Sequence, residues 1–248
     1  MDKEFIALLD SGIGGIFTLK KLTRLFPNEN FLYYGDNLNA PYGNKSVREL
    51  EQICFDRINQ LLKYNVKCVV LACNTLSANV RQKLSQYYNF PIYGVFPPVE
   101  KYLIKGEKIL LLATKRTIEQ YERYKKHENL HLLSLNNLAK EVEGNLFSLS
   151  EIDISKNLKN SQGQFIDEKG YYDRVILGCT HYNFVKNKIY DHFCPRKICC
   201  GDDFTASYLS KVYKNNKSSV NHKQNQILFI GDCAKYNQLF WVLSGQHI

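Results

Sequence analysis

Residues 68–75 read Cys68-Val69-Val70-Leu71-Ala72-Cys73-Asn74-Thr75, and residues 174–181 read Arg174-Val175-Ile176-Leu177-Gly178-Cys179-Thr180-His181. Each is an apolar run of strand length closed by a small residue, a cysteine and then side chains that hydrogen-bond. A short continuous apolar run bounded in this way reads as a strand buried on both faces, as in a parallel sheet. Similar runs recur at Phe5 to Leu9, Phe31 to Tyr34, Ile92 to Val95, Ile109 to Ala113, Leu130 to Leu133 and Ile227 to Ile230. Between them the spacing predicts helices over Ile16 to Phe26, Val47 to Tyr64, Leu76 to Tyr88, Thr117 to Lys126, Phe184 to Phe193 and Phe204 to Tyr213. Strand and helix alternate, so the expected class is α/β with mainly parallel sheets.

The two quoted stretches also rhyme at longer range. Asp10, at the end of Leu8-Leu9-Asp10-Ser11, precedes Cys73 by 63 positions, and Thr114, at the end of Leu112-Ala113-Thr114, precedes Cys179 by 65. Two half-chains of similar build explain this, with strand ends facing each other, because α/β sheets carry their functional loops at the carboxyl edge. Chance similarity between buried strands is the competing account.

A chain of 248 residues, 44% of them hydrophobic, is long enough for one large domain or two average ones, which excludes a disordered tail. No apolar run approaches the length of a membrane span, and Met-Asp-Lys-Glu-Phe lacks the layout of a secretory signal, so a cytoplasmic protein is expected. The eight cysteines, Cys54, Cys68, Cys73, Cys179, Cys194, Cys199, Cys200 and Cys233, form no CxxC pair and read as free thiols. His192, Cys194, Cys199 and Cys200 fit no common zinc spacing, so no metal is expected. The net charge of +9 is spread along the chain, and its basic stretches (Lys115 to Lys126, Lys211 to Lys223) are interleaved with acids or polar residues. No nucleic-acid-binding motif accompanies it, so no specific nucleic-acid partner is expected.

The chemistry concentrates at strand ends. Asp10-Ser11-Gly12-Ile13-Gly14-Gly15 follows a strand and opens a helix. Free N–H groups there suit a small carboxylate; a tight turn capped by Asp10 or Ser11 is the equally weighted alternative. It is no dinucleotide fingerprint, because Phe17 stands where the third glycine belongs. Cys73 and Cys179 sit just before predicted helices, where peptide dipoles lower a thiol pKa and favour a thiolate able to act as base or nucleophile. For a single cysteine, a small buried hydrophobe is the commoner role. Two thiols in matching contexts place an acid and a base on opposite faces of one substrate, the geometry that inverting a stereocentre needs. Asn74, Thr75, Thr180 and His181 follow them and offer groups for a substrate's carboxylate and ammonium, or simple caps. Pro41-Tyr42-Gly43 lies in a loop long enough to line a site, and Asp36 is a second carboxylate whose claim is weaker than that of Asp10.

Taken together, Asp10-Ser11-Gly12 with Gly14-Gly15, Tyr34-Gly35-Asp36 leading to Pro41-Tyr42-Gly43, Ala72-Cys73-Asn74-Thr75, Gly94-Val95 and Leu177-Gly178-Cys179-Thr180-His181 resemble the glutamate racemase family. The motifs run in family order over most of residues 5 to 185, with weaker echoes at Gly201-Asp202 and Gly231-Asp232. The resemblance implies two similar α/β domains, residues 1–96 plus 206–248 and residues 97–205, with the active site in the cleft between them. It implies that Cys73 and Cys179 are the two acid/base residues, with Asp10 and His181 assisting. Asp10, Ser11, Tyr42, Gly43, Asn74, Thr75, Thr180 and His181 are then the residues that bind glutamate or tune the thiols. By the same analogy Cys73 serves D-glutamate and Cys179 L-glutamate, no cofactor is needed, the chain pairs as a homodimer, and the product D-glutamate supplies peptidoglycan. The chain departs from the family pattern at Asn37, Leu38 and Asn39, at Leu76, at Gln120 and Arg123, and at Asn183. None of these removes a catalytic group; they bear on the cavity entrance and rate.

Three other readings compete. A racemase of aspartate or a hydantoin keeps the two thiols, a cysteine hydrolase with His181 as base leaves one thiol idle, and a non-catalytic nucleic-acid binder uses only the charge.

Overall fold

The computed structural model describes residues 3–135, 137–213, 227–230 and 237–244, so Cys233, the Gly231-Asp232 echo and the end of the Lys211 to Lys223 stretch lie outside the described residues. In chain order the elements are β1 (Phe5–Asp10), α1 (Ile16–Leu25), β2 (Asn30–Gly35), α2 (Val47–Leu61), β3 (Val66–Leu71), α3 (Asn74–Asn79), α4 (Arg81–Tyr87), β4 (Ile92–Gly94) and α5 (Val99–Leu103). There follow β5 (Ile109–Ala113), α6 (Lys115–Tyr121), β6 (Leu130–Ser134), α7 (Leu138–Gly144), α8 (Ile154–Lys159), β7 (Gln162–Gly163), β8 (Arg174–Gly178), α9 (Lys186–Phe193), β9 (Lys197–Cys200), α10 (Asp202–Tyr213), β10 (Ile227–Ile230) and α11 (Asn237–Ser244).

The strands form two five-stranded sheets, ordered β10-β2-β1-β3-β4 and β7-β6-β5-β8-β9. Every pairing is parallel except that of β6 with β7. The internal rhyme has a spatial meaning. β1 is flanked by β2 and β3 with β4 beyond, as β5 is flanked by β6 and β8 with β9 beyond. Asp10 and Thr114 therefore close matching central strands, and Cys73 and Cys179 follow matching neighbours.

Burial on both faces explains the unbroken apolar runs. Along β1, Phe5, Ala7 and Leu9 pack with Leu50, Cys54 and Ile58 of α2, while Ile6 and Leu8 pack with Ile16, Leu19 and Leu22 of α1. Along β5, Leu110 and Leu112 meet Leu138, Val142 and Ile189, while Ile109 and Leu111 meet Tyr102, Ile118 and Tyr121. Each fully buried side chain of this size stabilises the fold by about 1.5–3 kcal/mol. The α2 start is fixed by a reciprocal cap: the Glu49 N–H donates to Ser46 Oγ (3.2 Å) and the Ser46 N–H to Glu49 Oε2 (2.7 Å). That cap sets where the Pro41 to Asn44 loop leaves the helix.

The helix expected over Leu76 to Tyr88 is two helices, α3 and α4, meeting at Val80. Asn79 turns its side-chain amide onto the carbonyls of Thr75 (2.9 Å) and Arg116 (3.3 Å), a local competition with helical pairing that ends α3 and ties it to α6. Across the other crossing, the Thr18 hydroxyl of α1 donates to Asp202 at the start of α10 (2.9 Å).

Candidate active site

The carboxyl ends of the two sheets face a cavity of about 280 Å³. Ser11, Asn37, Tyr42, Gly43, Cys73 and Thr75 line it from the first sheet's side. Thr114, Lys140, Glu143, Cys179 and His181 line it from the second's. The two thiols thus reach one cavity from opposite sheets, each at the first turn after its strand.

Cys73 departs from the expectation for a helix start. Burial pushes its thiol up to about 12, and the neighbouring Asp10 charge pushes the same way. The Leu76 N–H and the Ser11 hydroxyl hydrogen-bond to it and pull its pKa down, as a helix start should, but desolvation outweighs them. Cys73 is therefore a protonated thiol at neutral pH.

Asp10 is fully buried, and burial raises its carboxyl to about 6 against the opposing pull of His181 and of N–H groups from Gly15 and Gly12. Those N–H groups reach Asp10 Oδ2 at 2.9 and 3.3 Å, and the Ile13 N–H reaches Glu143 Oε2 at 3.3 Å. Three of this loop's donors, the N–H groups of Gly12, Ile13 and Gly15, are thus taken by the protein's own carboxylates, as in a capped turn. Its glycines do something else. A Cβ on Gly12 would stand 2.6 Å from the Glu143 carboxylate, and one on Gly14 would stand 2.4 Å from Thr180 Oγ1. They let the halves of the molecule touch.

Cys179 faces an imidazole–carboxylate pair. Its Sγ lies 4.0 Å from His181 Nδ1, and His181 Nε2 hydrogen-bonds Glu143. Burial alone disfavours a charged imidazole, but the hydrogen bonds and charges of Cys179 and Glu143 outweigh it and raise His181 well above its ordinary value. Glu143 also accepts from Asn37 Nδ2, and the buried Asn37 Oδ1 has no hydrogen-bond partner among the described residues. Sequence reasoning missed Glu143: it sits on the seven-residue α7 and meets His181 38 positions away, and nothing local marks it.

The remaining expected residues divide. Tyr42 is anchored by its hydroxyl, which donates to the buried Asp36 (2.6 Å), itself held by Asn39 and Arg57. Thr75 Oγ1 and Thr114 Oγ1 are 2.9 Å apart in the cavity wall, where a Cβ on Gly43 would meet Thr114 at 2.6 Å. Asp10, Asn74 and Thr180 stand behind the wall: Asn74 Nδ2 donates to the Val95 carbonyl (3.0 Å), and the Thr180 hydroxyl to Asp10 Oδ1 (3.4 Å). Of the departures, Asn37 lines the cavity, Leu38 is exposed, and Gln120 and Arg123 bond Asn79 and Glu100 away from it. His192 pairs with Asp167 and Cys194 is exposed; among the described residues no His, Cys, Asp and Glu cluster is arranged to hold a metal. No described helix is long and apolar enough to cross a membrane.

No protein-family model matches the chain. Over 204 residues it is 36% identical to a curated glutamate racemase of Clostridium botulinum, spanning 77% of this chain and 76% of the relative. A second, from Clostridium acetobutylicum, is 37% identical over 194 residues, 74% of each chain. Among solved structures, a glutamate racemase isoform from Bacillus anthracis superposes with a TM-score of 0.80 at 25% identity, covering 100% of this chain and 96% of that one.

Proposed function

The chain belongs to the glutamate racemase family, and from that premise we propose how its residues interconvert L- and D-glutamate. The observation that carries the reading is that Cys73 and Cys179 line one cavity from opposite sheets.

The α-proton of an amino acid is a far weaker acid than any thiol, so the site must both place a base and stabilise a carbanion. With L-glutamate bound, Cys179 is the base. Its Sγ lies beside the His181 ring, which Glu143 orients. Cys73, protonated at rest, delivers its proton to the opposite face of Cα. In the reverse direction Cys73 must first lose that proton, and Asp10, with a carboxyl raised to about 6 close by, is the group that assists. Ser11, Tyr42, Gly43 and Thr75 bind the substrate from the cavity wall. Asn74 and Thr180 act through the positions of Val95 and Asp10. Contact between Gly14 and the Thr180 to His181 backbone keeps the halves close enough to exclude water. No cofactor takes part in this scheme.

Residues 1–96 with 206–248, and residues 97–205, are the two domains of this reading. The working unit is a homodimer in the cytoplasm, and its D-glutamate goes to peptidoglycan.

The test is exchange at Cα. Purified protein with L-glutamate in D2O, without added cofactor, should lose the α-proton signal by NMR while optical rotation decays. Cys73→Ala and Cys179→Ala should each abolish the decay. Clear preference for aspartate or a hydantoin, or stoichiometric acylation of one thiol, would overturn the assignment.

A further inference from the structure

Helix α7 presents Ala139, Lys140, Glu143 and Gly144 to the cavity, the one-face spacing of a helix. Two of these carry charge, with opposite signs and different situations. Glu143 is committed to His181, Asn37 and the Ile13 N–H. Lys140, one turn earlier, is exposed and makes no hydrogen bond or ion pair with any described residue.

Apart from His181, whose ring nitrogens face Glu143 and Cys179, Lys140 is the one cationic side chain among the described residues lining the cavity. The rest of the polar lining is neutral apart from Glu143: the hydroxyls of Ser11, Tyr42, Thr75 and Thr114, the Asn37 amide and the two thiols, with Tyr42 given to Asp36, Asn37 to Glu143, and Thr75 and Thr114 bonded to each other. Glutamate brings two carboxylates. The α-carboxylate must stay beside the carbon between the thiols, so the side-chain carboxylate lies further out and needs a counter-charge of its own. A flexible four-carbon stem on the cavity rim carries an ammonium over that distance.

We propose that Lys140 binds the side-chain carboxylate of the substrate and thereby selects glutamate over its neutral isosteres. The inference rests on the two-thiol reading for where Cα sits. Because Lys140 is exposed, its removal should leave the fold intact.

The test compares Lys140→Met with the unaltered protein, using D-glutamate and D-glutamine as probes that differ only in the charge of the distal group. Binding is read by calorimetry, and KM and kcat are measured for both glutamate enantiomers. Lys140→Met should weaken D-glutamate binding about ten- to a hundredfold and raise KM accordingly, with a much smaller change in kcat. D-glutamine binding should change less than about twofold, and Lys140→Arg should recover part of the loss. Equal weakening of both ligands, or a change in glutamate affinity below about threefold, overturns the proposal. If the unaltered protein binds glutamate but does not racemise it, the two-thiol reading fails while the binding comparison still decides for or against Lys140.

Discussion

Asp10 should cost the fold stability for the sake of its role. Its carboxyl is fully buried and raised from 3.8 to about 6, with desolvation the largest cause. A group whose folded pKa lies above its unfolded one favours folding when protonated, so its contribution is full below the unfolded pKa and is lost as pH rises through the folded one. A shift of this size corresponds to about 3 kcal/mol of lost stability at about pH 8, and to about half of that at about pH 5. Asp10→Asn removes the titration and keeps the shape. Its amide oxygen can accept from Gly15 and Gly12, and its amide nitrogen then faces Thr180 Oγ1, which can accept in turn. The variant should therefore be more stable than the unaltered protein at about pH 8 by up to about 3 kcal/mol, with the gain shrinking to about half by about pH 5. Urea unfolding across that range measures the difference directly, and D-glutamate turnover should fall in the same variant. A difference that does not vary with pH, or a variant less stable at the alkaline end, would refute the argument that burial of this carboxylate is what raises its pKa.

Glu143→Gln removes the charge that helps hold the His181 proton, so the alkaline limb of L-glutamate turnover should move to lower pH; a pH profile of kcat reads it. Gly14→Ala puts a Cβ 2.4 Å from Thr180 Oγ1 and 2.8 Å from the His181 nitrogen. Backbone cannot yield cheaply there, so urea unfolding should register a loss of about 1–3 kcal/mol together with reduced kcat. Tyr42→Phe deletes a 2.6 Å hydrogen bond to the buried Asp36 and should cost about 1–3 kcal/mol by the same assay, even with Asn39 and Arg57 still in place.

Strands buried on both faces announce themselves as apolar runs, which is why β1, β3, β5 and β8 are readable from the chain. β7 is two exposed residues and β9 mixes a lysine with half-buried positions at a sheet edge, so neither has a pattern to read. The break at Val80 depends on the Asn79 amide reaching α6, a tertiary event. The cysteines were legible because each closes a buried strand. What the chain conceals is their electrostatics: the helix-start argument expects a lowered thiol pKa at Cys73, and only the three-dimensional burial reverses it. Glu143 is concealed for the same reason, since its meaning comes from the histidine it meets. The glycine loop offers anion-binding donors in sequence, but folding hands three of them, the N–H groups of Gly12, Ile13 and Gly15, to Asp10 and Glu143.

The two thiols occupy matching places after β3 and β8 yet keep different company, a carboxyl beside one and an imidazole–carboxylate pair beside the other. L- and D-glutamate are mirror images with equal free energy in water, so their equilibrium constant is unity regardless of the enzyme. The ratio kcat/KM must then be identical in the two directions, and no arrangement of Asp10, His181 and Glu143 can make one direction more efficient at low substrate. The unequal surroundings of Cys73 and Cys179 can surface only as a faster turnover bound to a proportionally weaker KM, so the asymmetry sets the concentration at which each enantiomer saturates the site.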